Sequence, residues 1–394
     1  MAMLANKGKK RVFLPERIRT EHYTGPLFGR FFPQSNVFNV FSDEMLETFE
    51  DAERIGEIYA AKPDGMEQSA ALTGYWDTVE KGVNKGKEVL RFFSGETFYE
   101  AEYYNLVQNI FSRNTGILES DIMGNKCAFI LGCGSVGSLV ALELARSGVG
   151  RFVLIDSDIV EYHNLCRHQC SIMDVGNYKV YAVSKRIKEI NPSAQVYCYP
   201  DIVEQVSREI FDEYCHPGEA ILVGCADNRT ADVYANSIAV AFGVPFISIG
   251  FWERAFAGEI FYWLPKADMP CYRCALGDGG DLSQRQSTNR RIYTTQEDLS
   301  KVNFEPGISV DINFVTTIGI KLILDILNIG NQAFTPRLLE HLRQYTLVCN
   351  TNNPKIGGDM AEIFSYPLQV TTSLKVNFSG NCPPCQFADK GDST

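Results

Sequence analysis

A chain of 394 residues is long enough for two or three domains and a large core, and its 45% hydrophobic and 22% charged content is that of a soluble globular protein. A net charge of −11 argues against a general nucleic-acid binder, which needs a basic surface. Residues 1–13 hold no apolar run of signal-peptide length, and no window of about 20 residues is apolar enough to span a bilayer, so neither nucleic acid nor membrane is an expected partner.

Taken in order, residues 1–22 are basic, with Lys7, Lys9, Lys10, Arg11, Arg17 and Arg19. They read as a partly disordered arm, or as a contact for an acidic segment. From 38 to 61 the spacing of Met45, Leu46, Phe49, Ile55, Ile58 and Tyr59 predicts a helix that Pro63-Asp64-Gly65 ends. A second helix is predicted over Ser69–Val83, then a turn into a strand. Residues 1–98 are thus expected to form a small N-terminal α+β module. It has no cysteine and no catalytic cluster, which suits docking or packing. Residues 99–125 bridge to the rest and contain Ser112-Arg113-Asn114.

The stretch from Lys126 to Arg167 is the most informative. An apolar strand, Cys127–Leu131, runs into Gly132, Gly134 and Gly137 in the pattern G-x-G-x-x-G. A helix with Val136, Leu139, Val140, Leu142, Leu144 and Ala145 follows, stopped by Gly148 and Gly150. A second strand, Phe152–Ile155, ends at Asp156. Glycines let a backbone approach a phosphate, the helix N-terminus offers N–H groups and partial positive charge, and the acid can accept from ribose hydroxyls. The bland alternative is an ordinary turn of a parallel sheet.

Beyond it, a helix over 176–190, a strand at 196–200, an acidic helix over 201–215, a strand at 221–224 ending in Cys225-Ala226-Asp227-Asn228, a helix over 231–243 and a strand at 244–249 alternate. This is the pattern of an α/β, Rossmann-like, doubly wound and mostly parallel sheet. Residues 256–264 suit an antiparallel addition, 277–309 a long polar loop, and 311–328 an apolar helix.

Of the twelve cysteines, Cys127, Cys133, Cys198 and Cys225 lie in apolar runs and read as small buried hydrophobes. Cys271 with Cys274, and Cys382 with Cys385, form two C-x-x-C pairs. Two such turns supply the four thiolates of a tetrahedral structural zinc site, which would tie the C-terminal segment to the sheet. Redox pairs are the alternative. This usage suits the reducing cytoplasm.

In combination these motifs resemble the E1-like adenylating superfamily, which includes ThiF, MoeB and the ubiquitin-activating enzymes. The likeness covers roughly 110–390. It rests on SRN at 112–114, GCGSVG at 132–137, LIDSD at 154–158, HNLCRHQ at 163–169, DVGNYK at 174–179, CADN at 225–228 and the two cysteine pairs. The Asn/Arg/Lys/Asp series is foreign to NAD enzymes.

The resemblance implies an E1-like adenylation domain over 99–394 that uses ATP, Mg²⁺ and Zn²⁺. It places Asn164, Arg167 and Lys179 on the phosphates, and Asp156 on the ribose, in a strand that also carries Asp158. Asp227, beside Asn228, would hold Mg²⁺ or orient the attacking carboxylate through it. Such a reaction builds negative charge at phosphorus, which cations and Mg²⁺ stabilise. Arg113 resembles an arginine that reaches into a partner subunit's site, implying a homodimer. His168 stands where the family usually has Gln.

The layout resembles the peptide-modifying branch typified by microcin C7 maturation and the pantocin pathway. That likeness implies a ribosomal precursor peptide gripped by residues 1–98, under a loop carrying Arg285, Arg290 and Arg291. A ubiquitin-like or sulfur-carrier protein as substrate is the alternative. A thioester route would need an activated cysteine, for which Cys166, Cys170 and Cys349 are the candidates. A non-catalytic subunit of a heterodimer is a third reading, against which Arg167, Lys179 and Asp227 argue.

Overall fold

The computed structural model describes residues 10–80, 85–226, 229–251, 255, 257–276, 307–349, 371–377 and 382. The chain divides into two compact units, one ending at Arg113 and the other beginning at Asn114.

The first unit is built from strands β1 (Arg11–Pro15), β2 (Gly25–Phe32), β3 (Val37–Val40), β4 (Glu53–Tyr59), β5 (Leu72–Thr78), β6 (Glu88–Ser94) and β7 (Thr97–Tyr104), with short helices α1 (Arg17–Thr20), α2 (Asp43–Thr48) and α3 (Leu106–Ile110). The strands close into a barrel in the order β1-β3-β2-β4-β5-β6-β7, and parallel pairing of β1 with β7 seals it. Val12, Leu14, Leu27, Phe38, Ile58, Leu72 and Phe92 fill its core.

This corrects the two helices predicted in this region. The first survives only as α2, and the stretches that continue the helical spacing are β4 and β5. Strand pairing decides against a helix here. Gly56 lies so close to the Leu72 carbonyl that a Cβ would overlap it, and a Cβ on Gly74 would come within 2.6 Å of the Phe92 ring. The basic arm is also ordered from Arg11 on: it forms β1 and α1, with the Arg17 guanidinium 2.6 Å from the Asp43 carboxylate.

In the second unit, α4 (Ser120–Met123) leads into β8 (Cys127–Leu131), α5 (Ser135–Arg146), β9 (Arg151–Ile155), α6 (Lys179–Ile190), β10 (Gln195–Tyr199), α7 (Arg208–Tyr214), β11 (Ala220–Gly224), α8 (Arg229–Phe242) and β12 (Phe246–Phe251). Then come β13 (Ala257–Trp263), α9 (Tyr272–Leu276), α10 (Ser309–Leu327), β14 (Tyr345–Cys349) and β15 (Thr371–Leu374). The eight strands form one sheet, β10-β9-β8-β11-β12-β13-β14-β15, parallel from β10 to β12 and antiparallel beyond. One apolar layer packs α5, α6 and α10 on one face, and another packs α7, α8 and α9 on the other. The sheet is therefore doubly wound, with strand order reversing at β8, where ligands of such sheets bind.

Two details depart from expectation. The acidic helix expected from 201 begins only at Arg208. Residues 201–204 are instead a loop and a short 3₁₀ turn past the end of β10. Among the described residues no helix is long and apolar enough to cross a membrane.

Candidate functional site

The three glycines after β8 do different work. Gly132 has a left-handed φ of +94°, and a Cβ there would meet the Ala226 backbone nitrogen at 2.7 Å. A Cβ on Gly137 would overlap the Gly132 carbonyl oxygen. Both are packing glycines. Gly134 is different: a Cβ there would meet nothing within 4 Å, and it begins α5 without a side-chain cap. Gly134, Ser135 and Val136, which open α5, border open space, where the helix dipole favours an anion.

That space is a cavity of about 600 Å³ at the C-terminal edge of the parallel strands. Gly132, Gly134, Asp156, Asp158, Asn164, Arg167 and Lys179 all line it, though they come from segments far apart in sequence. Asp156 ends β9. One of its carboxylate oxygens accepts from the Cys133 N–H at 2.6 Å and the other from the Asp158 N–H at 2.8 Å. It thus braces the glycine turn. Burial raises its pKa, against the pull of Lys179 and these N–H bonds.

Lys179 is the first residue of α6, and its ammonium lies 2.7 Å from the Asp158 carboxylate. Its side chain is only 12% exposed, whereas that of Asp158 is 68% exposed. The amide oxygen of Asn164 accepts from the Glu161 N–H at 2.8 Å, capping the turn that delivers Arg167. Next to it, His168 is buried, with Nε2 2.7 Å from the Cys133 carbonyl oxygen.

Sequence reading missed Asp201, Ile202, Val203 and Glu204, which form another wall of the cavity. Their position just past β10 was the available signal, because loops after parallel strands surround such sites. Arg113 is exposed at the end of the first unit and does not line this cavity. Asp227, Asn228, Cys385 and the arginines at 285, 290 and 291 lie outside the described residues. Ala226 and Ala231, which bracket the first two, do line the cavity.

Away from the cavity, Cys271, Cys274 and Cys382 are buried together, their sulfurs within 4.8 Å of one another. Cys271 and Cys382 are 3.1 Å apart, so the C-terminal segment meets the turn after β13. The Tyr272 N–H between the paired cysteines donates to the Asn236 side chain of α8 at 2.7 Å. A second buried set, which unlike the cysteines was unforeseen, lies between α8 and the sheet. Ser248 donates to Asp232 at 2.6 Å, Arg229 pairs with Glu259 at 3.0 Å, and the Tyr345 hydroxyl donates to Glu259. Burial pushes the Asp232 carboxyl up to about 7.

The three cysteines considered for a thioester differ. Cys170 is half-buried, and burial pushes its thiol up to about 12; Cys349 is buried and raised for the same reason. Cys166 is exposed, its thiol 3.3 Å from the His163 carbonyl oxygen.

Comparison with known proteins gives the family of the chain. The profile of the ThiF family matches residues 113–355. The chain is 25% identical over 192 residues to the adenylyltransferase and sulfurtransferase UBA4 of Meyerozyma guilliermondii, covering 48% of this chain and 43% of that protein. It is 29% identical over 150 residues to the sulfur carrier protein ThiS adenylyltransferase of Escherichia coli, covering 38% of this chain and 57% of that one. The chain thus spans less than two thirds of the length of either relative. Among solved structures, E. coli MccB with ATP superposes with a TM-score of 0.47 at 19% identity, over 68% of each chain. By the family match, which covers most of its length and every residue lining the cavity, this chain belongs to the ThiF family.

Proposed function

We propose that the protein is an ATP-dependent adenylyltransferase that activates a carboxylate of a peptide or small protein, forming an acyl-adenylate and pyrophosphate. The observation that carries this reading is the single cavity that gathers an open helix N-terminus, Asp156, Asp158, Asn164, Arg167 and Lys179. In this reading the α5 N–H groups, Arg167 and Lys179 take the phosphates. Bound nucleotide would replace the Asp158 carboxylate as a neighbour of the Lys179 ammonium. Asp156 holds the turn and offers its remaining lone pairs to the ribose. Asp227 would hold Mg²⁺, which neutralises charge building on the phosphates when bound. A homodimer in which Arg113 serves the partner's site belongs to the same proposal.

The substrate we favour is a ribosomally made peptide. Support comes from two features: a separate compact unit precedes the ThiF-family segment, and burial pushes the thiols of Cys170 and Cys349 up from their ordinary value. In this reading the acyl group passes to an acceptor other than Cys170 or Cys349, and of the three candidate thiols Cys166 is the exposed one. The barrel of the first unit is closed, so its described strands leave no edge for a peptide to extend, and it would hold a peptide through side chains. The second reading, an activating enzyme for a ubiquitin-like or sulfur-carrier protein, is favoured by what the curated relatives are named for.

Zinc fits the cysteine cluster. Cys271, Cys274 and Cys382 supply three soft donors at mutual distances suited to one ion, with Cys385 next in the chain to complete four.

The test is the intact mass of whatever co-purifies with Asp227→Ala from its own host, since that variant should hold substrate without consuming it. A short peptide supports the favoured reading and a small folded protein the second. Retained substrate-dependent ATP–pyrophosphate exchange in this variant would overturn the site assignment.

A further inference from the structure

His168 is a side chain that the proposed reaction does not use, yet it is 7% exposed and sits directly beneath the glycine turn. Its two ring nitrogens have unambiguous partners. Nε2 lies 2.7 Å from the carbonyl oxygen of Cys133, which can only accept. Nδ1 receives the Cys170 N–H at 3.1 Å, which can only donate. Both partners are backbone, so neither can exchange its role. The imidazole is therefore neutral, with its proton on Nε2.

The bridge matters because of what it joins. Cys133 lies between Gly132 and Gly134, and its N–H is already held by Asp156 at 2.6 Å. Cys170 ends the segment that presents Asn164 and Arg167 to the cavity. The Gln169 N–H, one residue away, reaches the Ser138 hydroxyl of α5 at 3.4 Å. The two peptide planes that flank the Cys133 Cα are thus each pinned, one by Asp156 just past β9 and the other by His168.

We propose that His168 is a positioning residue for the nucleotide: as the neutral Nε2–H tautomer it clamps the glycine turn to the segment bearing Arg167, and a second proton opens the clamp. Protonated Nδ1 would confront the Cys170 N–H, donor against donor. This inference rests on the reading of the cavity as a nucleotide site.

The charged groups that act on the ring are Lys179 of α6 and Asp174 in the turn after the segment. Burial and Lys179 oppose the second proton, while the Cys133 bond and Asp174 favour it. Burial dominates and holds the ring below the usual histidine value.

The experiment is titration of the full chain with MgATP from about pH 8 down to about pH 5, with melting curves at each pH, for wild type, His168→Gln and His168→Ala. A glutamine amide can donate to Cys133 and accept from Cys170 but does not titrate. We expect His168→Gln to bind ATP within about threefold of wild type at pH 8, and wild type alone to lose about tenfold more affinity by pH 5. Comparing the two at each pH cancels the titration of ATP itself. His168→Ala should bind about tenfold more weakly at pH 8, even where the melting curve shows it folded.

Identical pH dependence in wild type and His168→Gln would overturn the clamp. So would imidazole nitrogen NMR shifts that place the proton on Nδ1, a readout that survives if His168→Ala does not fold. Failure of wild type to bind ATP at pH 8 would instead overturn the nucleotide reading, and the clamp with it.

Discussion

At the scale of single residues, the site shows how one residue type takes different roles from its surroundings. Asp156 is half-buried and receives two backbone N–H bonds and the field of Lys179, which oppose the effect of burial. Asp232 is buried, and among the described residues it has only the Ser248 hydroxyl on one oxygen and no hydrogen-bond partner on the other. Its carboxyl is pushed up to about 7, so the folded chain keeps a proton that the unfolded chain releases near the ordinary aspartate value. The stabilisation is complete below about pH 4 and is lost as pH rises through about 7. Asp232→Asn should therefore change stability little at about pH 4. It should raise it by up to about 4 kcal/mol above pH 7, seen as a rise in Tm of several degrees. A variant no more stable than wild type at pH 8 would show that Asp232 is not held neutral.

At the scale of elements, the β8–α5 turn separates glycines that pack from a glycine that leaves room. Gly137→Ala would press a methyl into the Gly132 carbonyl and should cost about 2 kcal/mol or more in denaturant unfolding. Gly134→Ala meets no atom of the described residues within 4 Å, so it should leave the unfolding midpoint nearly unchanged and weaken ATP binding instead. Equal loss of stability in both variants would contradict the division of roles. The same close packing explains the misread helices of the first unit. Ile55 and Ile58 fit a helical spacing as well as a strand, and only pairing of β4 with β5 at Gly56–Leu72 settles which forms.

At the scale of the whole molecule, the cysteine cluster joins segments distant in sequence. Cys382 belongs to the C-terminal segment, while Cys271 and Cys274 flank Tyr272, whose backbone is tied to α8 by Asn236. Because α8 begins just after Asp227, the cluster braces the helix that follows this acid. One zinc per chain is expected by elemental analysis, and Cys271→Ser or a strong chelator should remove it and lower Tm by several degrees. Freshly purified protein without zinc would refute the metal assignment.

The sequence by itself determined the nucleotide-type half of the fold, because the signals there are local. Glycines at fixed spacing, an apolar strand before them and an acid at the end of the next strand each act within a few residues of where they stand. It also named the cavity residues Asn164, Arg167 and Lys179, since each belongs to a short motif. Only the tertiary structure decided the rest. The barrel depends on which strands pair, and that is a matter of contacts between distant residues rather than of spacing. The loop at 201–204 became part of the cavity because β10 sits beside β9 in the sheet. His168 acquired a role from a carbonyl 35 residues away. Burial and hydrogen-bond partners are properties of the folded chain, and a linear pattern carries neither.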